Sequence, residues 1–585
     1  MKYPTLPVQS SSREMIDMFK GYNHNLLIGD GEFFDMKNMT SNYYPILSPR
    51  GKRGVYAAPV APQGLIAKDT LCYVDGTNFV MDGYPIDMGL SVAEEDCPKQ
   101  LVSMGAYVII LPDKKYINTL DVTDFGNLDA SFATTADVQF QLCTIDGAEY
   151  TNTTVSAEEP EEPENMQYWI DTSATPHALK QYSAASAMWV NVATTYIKIT
   201  SPGIGAAFQQ YDGVTISGIV LEDLQDLNNS MVIWARGDDY IVVVGILDAT
   251  LVQEVAQGAI TIERRMPNMD FVIESENRLW GCHYGVAANG EVVNEIYACK
   301  LGDFKNWNCF MGLSTDSYVV SVGTDGQFTG AITHRGYPLF WKENCVHKVY
   351  GNYPSNFQVQ TTACRGVQKG CEGSLAIVNE ILYYKARHAV CAYDGSLPVE
   401  VSTALGEEAY SEAVAGAHGN KYYISVKDAA GAFHLFVYDT AKGMWHQEDN
   451  LQADSFCSCR GEMYCIEHSS KKIITMFGSG TQDTESVEWM AQTGVIGTSM
   501  PDMKYISRLL VRISMEIGAK VRFFAQYNSV GAWEPLGTIS GTSLRTFLLP
   551  IRPKRCDHMR LRIEGTGDVK IYSITKTIEQ GSDIS

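Results

Sequence analysis

Short runs of alternating apolar and polar residues cover most of the chain, and turn-forming residues separate them. From Phe271 the sequence is FVIESENRLWGCHYG, and from Leu375 it is LAIVNEILYYKARHAVCAYDGS. An alternation of period two places successive side chains on opposite faces of a strand. Glycine, asparagine and charged residues between the runs favour tight hairpin turns. The pattern therefore predicts an all-β protein.

The predicted strands recur in units that begin roughly forty residues apart. Each unit contains a short apolar strand, a tight turn, an aromatic strand, a looser turn and a third strand. The residues of the tight turns tolerate positive φ, and they are Glu276-Asn277, Arg335-Gly336, Asn379-Glu380, Gly419-Asn420 and Arg460-Gly461. Two weaker copies begin at Leu65 and Leu101. This spacing is typical of four-stranded propeller blades, and the units amount to about seven blades.

The same patterns divide the chain into five predicted segments. Residues 1–54 predict an extended N-terminal arm, and residues 55–121 and 263–484 predict the propeller blades. Residues 122–262 are too many for a loop, and their alternation predicts an inserted β domain. Residues 485–585 alternate at period two, which predicts a C-terminal β-sandwich.

A ring of blades normally closes by combining strands from both ends of the propeller sequence. The last predicted blade contains Cys457, and the first stretch before the blades is Val55 to Val60. We therefore expect the segment around residues 55–60 to pair with the blade that contains Cys457.

Composition narrows the classes of function. The chain has 68 acidic residues against 45 Lys and Arg, a formal net charge of −23, which argues against a sequence-independent nucleic-acid coat. No apolar leader pattern and no run of about eighteen apolar residues occurs, so we expect neither a secretory signal nor a membrane span. The 14 cysteines are dilute and often lie within apolar alternations, which favours buried free thiols in a reducing cytosol.

No catalytic or nucleotide-binding motif in the sequence specifies an activity. The sequence contains no HExxH, GxSxG, Walker A or strand-linked GxGxxG pattern, and the CSC triplet at residues 457–459 lacks a partner ligand pair. A glycosidase pair of carboxylates stays open because its defining separation is spatial. Most acidic residues fall in predicted turns, where solvation explains them. We therefore expect a protein that is not an enzyme and that needs neither a cofactor nor a metal.

The N-terminal stretch GYNHNLLIGDGEFFDMKNMTSNYYPILSPRGKR resembles the N-terminal signature of a family of tailed-bacteriophage virion proteins, in which it precedes a propeller. The matching positions are Gly31, Glu32, Asp35, Asn38, Met39, Thr40, Tyr44, Pro45, Leu47 and Arg50. The C-terminal stretch that begins at Arg545 is similar to the end of the same proteins. More distantly, the layout is similar to that of packaged-DNA stabilisation proteins of short-tailed phages.

The resemblance implies a structural component of the virion at the head-tail junction or in the tail, assembled in the bacterial host cytoplasm. Its implied partners are other neck and tail proteins, namely a portal, adaptor or tail hub, and further copies of itself in a ring beneath the portal. It would help to connect the tail or to retain packaged DNA, which would pass without sequence-specific binding. The alternative is a carbohydrate- or receptor-binding tail protein whose C-terminal sandwich is the binding tip.

Two groups of residues are candidate inter-subunit contacts. The arm contributes aromatic, apolar and basic side chains, and a basic cluster near the C-terminus suits an acidic partner. The candidates are Tyr43, Tyr44, Leu47, Arg50, Lys52, Arg53, Arg552, Lys554 and Arg555. The alternative for the arm is that Tyr44 and Leu47 only seal this subunit's own propeller. If the arm reaches a neighbour, reversal of Arg50, Lys52 and Arg53 to Glu should block assembly and leave the monomer's melting temperature nearly unchanged.

Overall fold

A computed structural model describes residues 11–92, 99–245, 253–256, 259–287, 290–482, 486–500, 503–541 and 543–580. The first ten residues of the predicted arm and the predicted domain boundary between residues 484 and 485 lie outside these ranges. The chain divides into two compact units. The first unit comprises Met1–Lys99, Phe340–Val346 and Thr361–Ser585, and the second comprises Gln100–Leu339 and His347–Gln360.

The protein is all-β, as the alternation predicts. The helices of the described ranges are short 3-10 turns, at Glu222–Leu227, Pro354–Asn356, Glu372–Ser374 and Thr403–Leu405. None of them has the length and apolar character that a membrane crossing requires.

Antiparallel four-stranded sheets recur where the sequence predicts blades. Two lie in the first unit. One consists of strands Pro62–Ala67, Leu71–Asp75, Asn78–Met81 and Tyr84–Asp87, and the other of strands Ala376–Val378, Ile381–Lys385, Val390–Tyr393 and Val399–Glu400. Two lie in the second unit. One consists of strands Gln100–Met104, Tyr107–Leu111, Lys115–Asn118 and Phe125–Asn127, and the other of strands Phe271–Ser275, Arg278–Val286, Val292–Ala298 and Tyr318–Ser321. The unit boundaries fall among the strands Gly330–His334, Tyr337–Lys342, Cys345–Tyr350 and Gln358–Ala363.

The tight turns of the repeat have the backbone that their residues predict. Asn379 and Glu380 have φ of 48° and 66°, and Arg460 has φ of 49°. Glu276 and Asn277 have φ of 50° and 61°. Left-handed backbone at adjoining positions matches the twist of the strands that a hairpin joins, so these turn positions are confirmed.

The insertion lies in the second unit and builds three sheets. The first sheet has the spatial order Ala130–Ala133, Thr261–Arg264, Gly213–Ser217 and Ser230–Val232. The second has the order Ala235–Gly237, Tyr240–Val244, Tyr196–Thr200, Val138–Cys143 and Gln253–Ala256. The third has the order Thr153–Ser156, Tyr168–Asp171, Ala178–Ser183 and Met188–Asn191. A fully buried apolar cluster includes Phe140, Ile199 and Ile241. The strand Thr261–Arg264 crosses the boundary predicted at residue 262, and the independence of this region as a domain stays a prediction.

The C-terminal strands of the first unit form parts of two sheets. One sheet has the order Ser11–Ile16, Val569–Gln580, Lys504–Met515 and Arg545–Leu549. The other has ten strands in the order Ser411–His418, Lys421–Lys427, Phe433–Asp439, Met444–Gln447, Gly21–Tyr22, Glu32–Lys37, Glu488–Thr493, Met559–Thr566, Lys520–Tyr527 and Glu534–Ser540. Val521, Phe523 and Ala525 are fully buried at every second position, as period-two alternation requires.

The N-terminal segment, residues 11–57, differs from the extended arm that the sequence suggests. Strand Ser11–Ile16 is antiparallel to Val569–Gln580, and Glu32–Lys37 is antiparallel to Glu488–Thr493. The short strands Met39–Thr40 and Ser48–Pro49 pair with each other. Apolar side chains at Phe33, Met36, Met39 and Leu47 are buried, and this burial fixes the segment to the C-terminal sheets.

The predicted closing contact is present within the first unit. Strand Gly54–Ala57 joins Ala453–Cys459, Glu462–Glu467, Ile473–Thr475 and Thr481–Gln482 in one five-stranded sheet. Gly54 pairs with Thr475, and Val55 pairs with Ile474. The pairing of this N-terminal stretch with the sheet that contains Cys457 is therefore confirmed, although the strand ends at Ala57 rather than Val60.

Candidate functional site

Arg50 and Arg53 form an ion-pair cluster with Glu448 and Asp449, which we name the arginine-carboxylate cluster. Arg53 Nη1 lies 2.6 Å from Asp449 Oδ2, and Arg53 Nη2 lies 2.9 Å from Glu448 Oε2. Arg50 Nη2 lies 3.2 Å from Asp449 Oδ2. Burial acts to raise the pKa of Asp449, but the charges of Arg53 and Arg50 outweigh it and hold that pKa below its usual range. The cluster therefore keeps its carboxylate charged inside the fold.

Asn38 connects this cluster to the C-terminal sheet. Its φ of 57° is left-handed, a conformation that asparagine tolerates better than most residues. Arg50 Nε donates to Asn38 Oδ1 at 2.8 Å, and Asn38 Nδ2 donates to the carbonyl oxygen of Glu488 at 2.8 Å. Asn38 and Arg50 thus bond to each other and hold the N-terminal segment in place.

Leu47 also bonds to another segment of its own chain. It is buried and exchanges both backbone hydrogen bonds with Ile571, at 3.1 and 2.9 Å. Leu47, Arg50 and Arg53 thus make contacts within their own chain, and an inter-subunit role for them stays a prediction. The intrachain contacts form because carboxylates and strands hundreds of residues later in the sequence fold against this segment and bond to it.

Tyr43 and Tyr44 face outward, beside two lysines. Lys570 Nζ lies 4.2 Å from the centroid of the Tyr43 ring, and Lys442 Nζ lies 5.8 Å from that of Tyr44. Both tyrosines expose more than a third of their surface. An inter-subunit role for Tyr43, Tyr44 and the partly exposed Lys52 stays a prediction.

The C-terminal candidates lie on another segment, between strands Arg545–Leu549 and Met559–Thr566. Arg552, Lys554 and Arg555 are exposed there. Lys554 Nζ contacts both carboxylate oxygens of Glu534, at 2.6 and 2.7 Å. Their proposed contact with an acidic partner also stays a prediction.

One group of basic residues was missed by the sequence analysis. The turn Lys385-Ala386-Arg387-His388 joins strands Ile381–Lys385 and Val390–Tyr393, and we name it the basic turn. Lys385 is buried, whereas Arg387 and His388 are exposed. The sequence KARH lies within the repeat, where the adjoining tyrosines predicted packing between strands, so no local signal marked these residues as a site.

Thirteen cysteines lie in the described ranges. Within those ranges the cysteines are free thiols, and no cluster of three or more His, Cys, Asp or Glu side chains is arranged to hold a metal ion. Burial raises the pKa of the Cys391 thiol to about 11 and that of Cys457 to about 12. Both thiols are therefore protonated near neutral pH, the form that is a poor nucleophile.

No protein-family model and no curated protein matches this chain. Among solved structures, an exo-β-1,3-galactanase from Phanerochaete chrysosporium is similar at 8% identity over 52% of this chain and 94% of that chain, with a TM-score of 0.21. Pyrococcus horikoshii acylaminoacyl peptidase is similar at 9% identity over 54% and 55% of the two chains, with a TM-score of 0.24. The extracellular domain of a one-component system from B. thetaiotaomicron is similar at 10% identity over 92% and 97%, with a TM-score of 0.23. Likenesses this weak assign no activity to the chain.

Proposed function

We propose that this chain is a structural component of a bacteriophage virion, at the head-tail junction or in the tail. It is assembled in the host cytoplasm in several copies beneath the portal, in contact with portal, adaptor or tail-hub proteins. There it helps to connect the tail or to retain packaged DNA. The proposal includes a propeller of about seven blades, an inserted β domain and a C-terminal β-sandwich. It assigns no catalytic activity to the chain.

One observation carries the proposal: residues at the signature positions of the N-terminal segment form hydrogen bonds that hold their own chain together. Asn38 and Arg50 bond to each other, and Leu47 bonds through its backbone to Ile571. A catalytic signature would place its polar groups around an open site where a substrate can bind. The sequence resemblance and this use of its residues both support a structural role.

The charge of the chain supports the same role. A net charge of −23 repels a phosphate backbone, and repulsion lets DNA move past a surface without binding to it. A protein that coats DNA needs clustered lysine and arginine instead.

The proposal is tested by removing the chain from an infection. A stop codon that only a suppressor strain reads through is placed in this gene of the phage, and lysates of non-suppressing cells are viewed by electron microscopy. We expect heads and tails that remain unjoined, or heads that lose their DNA. Supplying the wild-type chain from a plasmid should restore complete particles.

The alternatives give different results in that experiment. Complete particles that fail to adsorb to cells would favour the carbohydrate- or receptor-binding role. Complete and infectious particles without the chain would contradict the proposal.

A further inference from the structure

A cavity of about 440 Å³ opens in the first unit beside the basic turn. Its walls come from Glu343 and Asn344, from residues 364–368, from residues 386–388 and from Glu400. A second cavity of about 300 Å³ shares Arg387, His388 and Glu400 with the first, and its wall also includes Lys385, Glu407 and Glu408. These volumes fall in the range of small-ligand sites, roughly 300 to 1,000 Å³.

In the described part of the chain, the Lys385 ammonium has no carboxylate as an ion-pair partner. The residue is 3% exposed, and Nζ donates to Gln368 Oε1 at 3.0 Å and to the carbonyl oxygen of Ala386 at 2.5 Å. These acceptors are neutral, and no carboxylate of the described chain forms an ion pair with this ammonium. Burial lowers the pKa of Lys385 because it disfavours the charged form. A nearby anion would therefore stabilise the ammonium.

Arg387 adds a second positive charge that is not neutralised. Its side chain is exposed at the wall that both cavities share, and within the described ranges no acidic group pairs with it. By contrast, Arg365 Nη1 already lies 3.2 Å from Glu400 Oε2. Among the described residues, Arg387 thus presents a guanidinium without an ion-pair partner at the wall that both cavities share, and Lys385 adds a buried ammonium in the wall of the second cavity.

The rest of the wall determines what kind of anion fits. Glu343, Glu400, Asn344 and Gln368 supply carboxylate and amide oxygens that accept hydrogen bonds from hydroxyl groups. Glu343 and Glu400 in the first cavity, with Glu407 and Glu408 in the second, repel a ligand of high negative charge, such as a phosphate backbone, which needs clustered cations. The matching ligand has one negative charge and several hydroxyl groups.

We propose that the cavity beside the basic turn binds a sugar residue that carries a carboxylate, of the hexuronic acid class. Arg387 pairs with the sugar carboxylate, because a guanidinium presents two parallel donors to two carboxylate oxygens. Lys385, in the wall of the adjoining second cavity, adds its charge to the attraction. Glu343 and Gln368 accept hydrogen bonds from the sugar hydroxyls. The inference goes beyond the proposed virion role and places a sugar site away from the C-terminal strands, where the sequence suggested one.

Calorimetric titration of the full-length chain tests the inference. Sodium galacturonate, sodium glucuronate, their neutral hexoses and inorganic phosphate are titrated at equal ionic strength. We expect at least one uronate to bind, and its neutral hexose to bind at least about tenfold more weakly, since a hydrogen bond to a charged group is lost. R387Q should weaken uronate binding by about tenfold or more for the same reason. R508Q is the matched control, because Arg508 is exposed on a strand outside the cavity, and it should bind as the wild type does.

A second variant separates a sugar from a simple anion. E343Q, at an exposed position, removes a negative charge, which should tighten the binding of a simple anion such as phosphate, and it replaces a strong hydroxyl acceptor, which a bound sugar would lose. We expect it to weaken uronate binding. The proposal would be overturned if phosphate bound more tightly than uronate, or if uronate and neutral hexose bound equally. It would also be overturned if no uronate bound, or if R387Q kept full uronate affinity. These measurements use the isolated chain, so they succeed or fail independently of the virion role.

Discussion

Arg53 Nη1 lies 2.6 Å from Asp449 Oδ2, although the two residues are 396 positions apart in the chain. The contact fixes the end of the N-terminal segment to the turn after strand Met444–Gln447. Because Glu448 accepts from the same guanidinium, Arg53 bonds to two carboxylates at once, and Arg50 supplies the second positive charge of the cluster. The N-terminal segment is therefore part of the folded unit.

Loss of this guanidinium should destabilise the isolated chain. R53M leaves Asp449 and Glu448 poorly solvated without their main counter-charge, and breaking a buried pair in this way costs about 3 kcal/mol. Denaturant unfolding of R53M and of the exposed control R508M measures the difference. A loss under about 0.5 kcal/mol, which is usual for surface positions, would show that the cluster does not stabilise the fold.

Charge reversal of the segment gives a related prediction. The structure changes the result expected of R50E/K52E/R53E, because two of the three side chains are now known to face carboxylates of their own chain. We expect the monomer's melting temperature to fall clearly, since like charges are then buried together. K52E alone is the control, and it should retain most of the stability. An unchanged melting temperature in the triple variant would restore the inter-subunit interpretation.

A buried histidine should make stability depend on pH. Burial, and then the charge of Lys421, lower the pKa of His446 to about 3. The unfolded chain binds this proton near pH 6.5, so its contribution is complete above that pH and is lost as the pH falls toward 3. Between pH 7 and pH 5 we expect a loss of about 2 kcal/mol from this residue. Denaturant unfolding at both pH values measures the free energy of unfolding, which should fall from pH 7 to pH 5 by more in the wild type than in H446Q. An equal fall in the two proteins would contradict the prediction.

Gly21 tests how closely the N-terminal segment approaches its neighbouring strand. Gly21 has φ of 83°, and a Cβ built there would overlap the carbonyl oxygen of Trp445. Gly419 has φ of 56° but nothing within 4 Å of its Cβ position, so G419A serves as the control for backbone cost alone. We expect G21A to lower the unfolding free energy by at least about 1 kcal/mol more than G419A, the usual cost of overpacking. Equal losses would mean that the segment is packed more loosely.

Removal of the first strand should expose a sheet edge. Ser11–Ile16 covers strand Val569–Gln580, and Glu14 and Asp30 lie 3.1 and 2.8 Å from the ammonium of the buried Lys576. A chain without residues 1–16 loses Glu14 and leaves unpaired backbone groups at that edge, which promotes aggregation. Size-exclusion chromatography and amide hydrogen exchange at residues 569–580 measure the effect. Unchanged exchange there would contradict the pairing.

The sequence predicted what depends on local pattern and missed what depends on distant contacts. Alternation predicted the strands, and turn chemistry predicted the left-handed backbone at Asn379 and Arg460. The prolines of the N-terminal segment suggested a surface arm, but burial of Phe33 and Leu47 outweighs that local preference. The partners of Arg53 were not predictable, because nothing near residue 53 indicates which carboxylates fold against it. The basic turn was missed for the same reason, since its cavity takes walls from segments tens of residues apart.

The central claim, a structural role in several copies within the virion, is tested most directly by quantitative mass spectrometry of density-gradient-purified phage particles. Peptides from this chain are counted against those of the portal and major capsid proteins. The account predicts a constant ratio to the portal protein that corresponds to several copies per particle, unchanged by high-salt washing. Absence of the chain from infectious particles, or traces that disappear on washing, would contradict the account.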